Sequence, residues 1–93
     1  NQTNQILLAQ LIRSATSIGA NVVEGGNSVS KREFINYFQI ALKSASETLY
    51  WLALLKETNP KDTKNIDDLM EECIQIKKLI STIILNTKSN SRF

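Results

Sequence analysis

Residues 30–60 read SKREFINYFQIALKSASETLYWLALLKETNP, and this stretch decides the fold. It opens with a capping box, in which the Ser30 hydroxyl meets the backbone N–H of Glu33 and the Glu33 side chain reaches back. Apolar residues then recur at alternating spacings of four and three for about three heptads, which is typical of a helix with one packed seam. Pro60 ends the pattern because it disfavours helical backbone before it. The predicted helix covers residues 31–57. Its seam consists of Phe34, Phe38, Ala41, Ala45, Thr48, Leu52 and Leu55.

Two further helices are predicted on either side of this stretch. The first covers residues 4–24, with Thr3 or Asn4 as N-cap and Gly25 as a left-handed stop. The last covers residues 64–88. The apolar stripe of the first consists of Leu8, Leu11, Ala15, Ile18 and Val22, and that of the last of Ile66, Leu69, Cys73, Ile76, Ile80 and Ile83. With 42% hydrophobic residues, three Gly and one Pro, the chain is predicted to be one all-α domain over residues 1–93, an antiparallel up-and-down helical bundle with three long helices.

The second helix carries more apolar surface than one seam uses. Residues 49–55 are apolar nearly all round, and Ile40, Trp51 and Leu54 lie off the main seam. Since a three-helix monomer does not bury them all, the pattern predicts a further helix or another subunit. Gly19, with small residues around it, suggests close approach of another backbone. The alternative is that the helix simply tolerates one glycine.

The composition argues against catalysis and metal binding. The chain has no histidine and one cysteine, no metal-ligand spacing, and no phosphate-binding glycine loop. Cys73 lies in an apolar stripe, which favours a buried, inert thiol. No run of about 18 apolar residues and no signal peptide are recognised. We therefore expect a cytoplasmic protein without membrane association, catalytic residues, metal or cofactor.

Charge is distributed in blocks along the chain. Residues 1–56 have five basic and three acidic side chains, residues 57–75 two and six, and residues 76–93 four and none. This pattern has two interpretations. The acidic start and basic end of the last helix complement its dipole, or the basic blocks contact nucleic acid. The candidate phosphate contacts are Arg13, Lys31, Arg32, Lys43, Lys77 and Lys78, with Lys88 and Arg92 near the end of the chain. A ring of subunits would repeat such a patch.

One sequence motif is more specific than the apolar pattern of a helical bundle. It runs Arg13-x-x-x-Ser17-Ile18-x-x-Asn21-Val22-Val23-Glu24-Gly25, then Ser30-x-x-Glu33-Phe34, then Ile40-Ala41-x-x-Ser44-x-x-Glu47. Over about residues 7–56 it resembles the bacterial four-helix-bundle family of 23S rRNA intervening-sequence proteins. That family is similar to the accessory variability determinant of diversity-generating retroelements, a pentameric barrel that works with a reverse transcriptase and nucleic acid.

The resemblance implies a four-helix protomer, a homopentamer and an association with nucleic acid. Members usually have a further long helix before the point where these 93 residues begin, so we expect either a truncated chain or a bundle that lacks one wall. They also tend to have Pro at position 19, Gly at position 43 and basic residues where Ser28 and Val29 stand.

The polar motif residues have a structural interpretation at helix or subunit contacts. Arg13 and Glu24 are about 16 Å apart along one helix, too far for an easy direct pair. Arg13 is therefore expected to pair with Glu24 or Glu47 of another helix or subunit, or with a phosphate. The predicted packing and oligomer residues are Ser17, Asn21, Glu24, Ile40, Ser44, Glu47, Trp51 and Leu54.

Two functions remain open at this point. The first is a non-enzymatic oligomeric module that binds RNA or DNA through a repeated basic surface. The alternative is a protein-interaction scaffold, or accessory subunit, that docks a partner through the apolar face of the second helix. The dependence of binding on salt concentration distinguishes the two functions, because phosphate binding weakens steeply as salt rises and an apolar contact does not.

Overall fold

A computed structural model describes residues 1–90. Three helices account for almost all of them: α1 is Gln2–Gly26, α2 is Lys31–Thr58 and α3 is Thr63–Ser89, with a single 3₁₀ turn at Pro60–Asp62 between α2 and α3. The prediction of an all-α chain with three long helices is confirmed. Arg92, one of the predicted cations, lies outside the described residues.

The caps explain where α1 and α2 begin. The Ser30 hydroxyl accepts from the Glu33 backbone N–H at 3.1 Å, so the predicted cap of α2 is confirmed. At the start of α1 the cap is Asn1, whose side-chain oxygen accepts from the Asn4 backbone N–H at 2.9 Å. The prediction of Thr3 or Asn4 as cap was therefore wrong, and the helix begins two residues earlier than expected.

Gly25 does not stop α1 in the left-handed conformation, which corrects the sequence prediction. The helix continues through Gly26 to the cap residue Asn27 at φ −92°, and no described glycine has a positive φ. A Cβ added to Gly25 would lie 2.7 Å from two ring carbons of Phe38. A glycine is required here because the α2 side chain packs directly on the α1 backbone.

The helices form an open layer with α2 in the middle. Asn4 meets Asn59 and Ser17 meets Ser44, so α1 runs antiparallel to α2; α3 is antiparallel on the other side, since Cys73 meets Ala45. No Cα atom of α1 lies within 8 Å of one in α3. The molecule is accordingly flat, with extents of 49 × 21 × 13 Å.

The core follows the predicted seam of α2. Phe38, Ala41, Ala45, Thr48, Leu52 and Leu55 are buried as predicted, and Phe34 is half-buried. The outer helices bury less than expected: Leu8 is 46%, Leu69 49% and Ile76 43% exposed. Because each outer helix has a neighbour on one side only, part of its apolar stripe stays uncovered.

By length and composition alone, α1 is long and apolar enough to cross a membrane. The same helix packs on α2 through Asn4, Ser14 and Ser17, and its other apolar side faces the opening between α1 and α3. These two features account for its composition within an open helical layer.

Candidate functional site

A ladder of polar side chains joins α1 to α2. The Ser17 and Ser44 hydroxyls are 2.8 Å apart, and the Thr48 hydroxyl donates to the fully buried Ser14 hydroxyl at 3.0 Å. The Asn21 amide donates to the Ser17 carbonyl at 2.8 Å. The Ser17–Ser44 and Ser14–Thr48 contacts cross between the helices and fix their register, whereas the Asn21 bond lies within α1.

Arg13 has its partner within the same chain. Its guanidinium donates to the Glu47 carboxylate at 2.8 Å, with both side chains substantially exposed, and its Nε donates to Gln10 at 3.0 Å. Of the two partners considered from the sequence, Glu47 rather than Glu24 is therefore used. This pairing neutralises Arg13 and leaves it less available to phosphate than a free cation.

Of the remaining predicted oligomer residues, Glu24 is exposed on α1, and Ile40, Trp51 and Leu54 lie off the buried seam of α2, on what we call its outer side. Ile40 is 39% exposed, while Trp51 and Leu54 are half-buried. Tyr50 is exposed and packs edge-on against Trp51, with ring centroids 4.9 Å apart. The Trp51 Nε1 is buried without a hydrogen-bond partner among the described residues. The apolar patch expected around Trp51 is thus partly covered by the protomer itself.

A larger apolar surface, which we call the front groove, lies between α1 and α3. It is a cavity of about 510 Å³ floored by Thr48 and Leu52 of α2, and Glu72 is the one charged residue among those described in its lining. The apolar stripes of α1 and α3 that line it were predicted to be packed seams. The surplus of apolar residues was visible in the sequence, but its position was not. Its apolar walls include Leu11, Ile12, Ile18, Leu69 and Ile76.

Cys73 lies in the lining of the front groove. Its side chain is buried, and the thiol donates to the Ala45 carbonyl with a 3.4 Å sulfur–oxygen distance. Burial raises the pKa of the Cys73 thiol above its ordinary value of 9.0, and the nearby Lys77 opposes part of this increase. The expectation of a buried thiol is confirmed, and the raised pKa disfavours the reactive thiolate.

The antiparallel fold sorts charge between the two ends of the molecule. We call residues 14–44 and 76–90 the basic half; it has six cationic and two acidic side chains. Residues 1–13 and 45–75 form the acidic half, with four cationic and seven acidic side chains. Blocks that alternate along the sequence therefore become two poles along the 49 Å axis.

The ion pairs are also distributed unequally between the acidic half and the basic half. Within residues 1–90, each ion pair lies in the acidic half: Arg13–Glu47 at 2.8 Å, Lys56–Asp67 at 2.7 Å and Lys64–Asp68 at 3.1 Å. The cations of the basic half make no such pair in that range. Lys31 instead donates to the backbone carbonyls of Lys88 and Asn90, at 3.0 and 2.7 Å, and so satisfies the end of α3.

Five of these cations share one surface, which we call the basic face. The contacts Lys31–Lys88 and Ala45–Cys73 set the register, so Arg32 stands opposite Lys88 and Lys43 stands opposite the pair Lys77 and Lys78. Helical phase places Arg32 and Lys43 on the side of α2 away from the front groove. The basic face consists of Arg32, Lys43, Lys77, Lys78 and Lys88.

The structure thus brings together five of the eight predicted phosphate contacts, which are Arg32, Lys43, Lys77, Lys78 and Lys88. Lys31 stands beside them with its amine bound to carbonyls. Arg13 is in the other half. In the described part of the chain, no group of three or more His, Cys, Asp or Glu side chains has the arrangement of a metal site.

Comparison with known proteins gives one family and one informative structure. Residues 1–82 match the family described as 23S rRNA-intervening sequence protein. A crystal structure of a protein of unknown function from the S23 ribosomal protein family of Bacteroides thetaiotaomicron superposes with a TM-score of 0.81 at 40% identity. The match covers 85% of this chain and 73% of that one. No curated protein matches the chain.

Proposed function

Because the chain belongs to the family of 23S rRNA-intervening sequence proteins, we propose that it is a non-enzymatic, cytoplasmic module that binds nucleic acid. The family description states no reaction or ligand for this chain, so the proposal rests on its surface. The observation that carries it is the basic face, where cations stand without carboxylate partners in the described residues, while three of the four cations of the acidic half are paired.

Unpaired surface cations are the groups that phosphate attracts most strongly. A protein gains affinity by releasing counterions condensed on nucleic acid, and each neutralised phosphate adds to that gain. A cation already paired with a carboxylate contributes less. The acidic half would in addition repel the polyanion, so the field along the molecule orients the basic face toward it.

The test is binding to a labelled structured RNA, followed by fluorescence anisotropy over a range of salt concentrations. The double variant Arg32→Glu with Lys78→Glu should bind at least about tenfold more weakly than the wild type, because two contacts become repulsive. The matched control, Lys61→Glu with Lys64→Glu, makes the same change of net charge in the acidic half and should retain most of the affinity. Equal losses in both, or no binding by the wild type at low salt, would contradict the proposal.

We further propose that the front groove seats a fourth helix and that the protomers assemble into a homopentamer. The exposed Leu8, Leu69 and Ile76 support the first part, since an amphipathic helix in the groove would cover them. The longer related crystal structure is consistent with additional structure of this kind, because 73% of that chain is matched. Ile40, Trp51 and Leu54 are the proposed contacts between protomers.

A second candidate function is that of a protein-interaction scaffold. The sequence pointed to the outer side of α2 as the docking surface, but the front groove offers more uncovered apolar area and favours this alternative. A partner helix seated there would bind with little dependence on salt. Retention of a protein partner at high salt, together with an absence of nucleic-acid binding at low salt, would favour the scaffold.

A further inference from the structure

From the arrangement of the cations we infer that the ligand of the basic face is the paired phosphate backbone of a double-stranded nucleic acid, rather than a single strand. This inference rests on the proposed function and names its substrate class. It depends on two observations: the cations stand in two rows, and the described residues of the basic half, which bear these cations, include no exposed aromatic side chain.

The two rows follow α2 and α3. Along α2, Arg32 and Lys43 are about 16 Å apart, and along α3, Lys78 and Lys88 are about 15 Å apart, at 1.5 Å per residue. Packed helices have axes about 8–10 Å apart. The charges therefore occupy the corners of a rectangle, with Arg32 across from Lys88 and Lys43 across from Lys78.

Two rows of charge suit two strands of phosphate. The grooves of a B-form duplex are about 6 and 12 Å wide, so the phosphate rows that border them have a separation that long Lys and Arg side chains reach from α2 and α3. Double-stranded RNA is likewise recognised largely through its shape and its phosphates. The exposed amides of Asn36 and Gln39, between the cations of α2, can donate to phosphate or sugar oxygens.

A single strand requires features that this surface lacks. Proteins that bind single strands usually combine a basic channel with aromatic side chains on which bases stack. In the described part of the basic half the aromatic residues are Phe34, Tyr37 and Phe38, and none of them is exposed. The basic half does have a cleft of about 770 Å³, lined by Lys31, Arg32, Glu33, Ile35, Asn36 and Gln39, but its lining includes no aromatic side chain on which a base could stack.

The experiment compares short duplex RNA, duplex DNA and the corresponding single strands, using the 93-residue chain. We expect either duplex to bind at least about tenfold more tightly than its own single strands. The affinity for duplex DNA should fall with a log–log salt slope of about 0.9 for each phosphate that is neutralised. The RNA and DNA arms identify which duplex geometry fits the two rows.

Tyr50 provides the control for base stacking, because it is the exposed aromatic side chain nearest the rows, two helical turns beyond Lys43. Tyr50→Ala should leave duplex affinity within about twofold of the wild type. Tighter binding of single strands, lost on Tyr50→Ala, would overturn the inference while leaving nucleic-acid binding intact. No binding of any of these nucleic acids would overturn the proposed function as well.

Discussion

Gly25 and Gly26 are neighbours in the sequence with different surroundings. A methyl group on Gly25 would stand 2.7 Å from the Phe38 ring and 3.2 Å from the Tyr37 Cβ, whereas nothing lies within 4 Å of one on Gly26. We expect Gly25→Ala to lower the free energy of unfolding by about 1–3 kcal/mol, because two helices would have to separate. Urea unfolding followed by circular dichroism measures this change.

Gly26→Ala is the matched control. With open space around it and a negative φ, alanine should be neutral or stabilise the end of α1 by up to about 1 kcal/mol. If both variants lost the same stability, the two glycines would be acting through backbone freedom, and the contact with Phe38 would not be the reason for Gly25. The sequence identified Gly25 as special but predicted a left-handed helix stop, because the pattern of one chain does not show which side chain packs on this glycine.

Arg13 is expected to contribute little to stability. Its pair with Glu47 joins side chains that are 56% and 37% exposed, and ion pairs in such positions are worth about 0–1 kcal/mol. Arg13→Ala should therefore lower the free energy of unfolding by less than about 1 kcal/mol and leave nucleic-acid affinity nearly unchanged, as Arg13 is outside the basic face. An affinity loss as large as that of Arg32→Ala would place Arg13 in the binding surface after all. Titration calorimetry and urea unfolding of both variants make the comparison.

At the level of the helices, the sequence determined α2 more completely than α1 or α3. The capping box at Ser30, the stop at Pro60 and the seam from Phe38 to Leu55 all appear in the structure, because each depends on residues close together in the chain. The apolar stripes of α1 and α3 have the predicted helical spacing, but they are less buried than predicted. Whether Leu69 and Ile76 are covered depends on how three helices are arranged, and that is a long-range property.

The ionisation of Cys73 tests the packing of α3, because the Cys73 thiol is buried beneath the front groove. Burial raises its pKa above the ordinary 9.0, so the folded state holds the proton more tightly than the unfolded state. The thiol's contribution to stability is then fully present below pH 9.0 and is lost as pH rises through the raised pKa of the folded state. We expect the free energy of unfolding of the wild type to fall more steeply with pH above this value than that of Cys73→Ala.

Urea unfolding of the wild type and of Cys73→Ala over a series of alkaline pH values measures this difference. Comparing the two proteins removes the effects of pH on the groups that they share. A thiol-specific reagent gives a second measure, since it should modify the folded protein far more slowly than the unfolded protein near neutral pH. Parallel pH profiles together with rapid modification of the folded protein would mean that the groove is open down to its floor.

At the scale of the whole molecule, charge is arranged by topology rather than by sequence. The blocks along the chain were visible at once, yet they allowed both a helix dipole and a binding surface. Only the antiparallel order of α2 and α3 brings Arg32 to Lys88 and Lys43 to Lys77, and only the pairing of Arg13 with Glu47 removes that residue from the set. Each cation of the basic face was therefore predictable from the sequence, and Arg13 and Lys31 are the described candidates that the face leaves out, but its geometry was not predictable.

Self-association also belongs to this scale, and two apolar surfaces compete for it. If protomers meet through the outer side of α2, Ile40→Glu should break the assembly, because a carboxylate buried in an apolar contact costs several kcal/mol. Ile76→Glu places the same charge in the front groove and should leave the assembly intact. Light scattering after gel filtration gives the mass, with five times the 10.5 kDa chain mass expected for the wild type and one times for Ile40→Glu. The reverse result would show that copies join through the groove, so that the surface proposed for a fourth helix is itself the subunit interface.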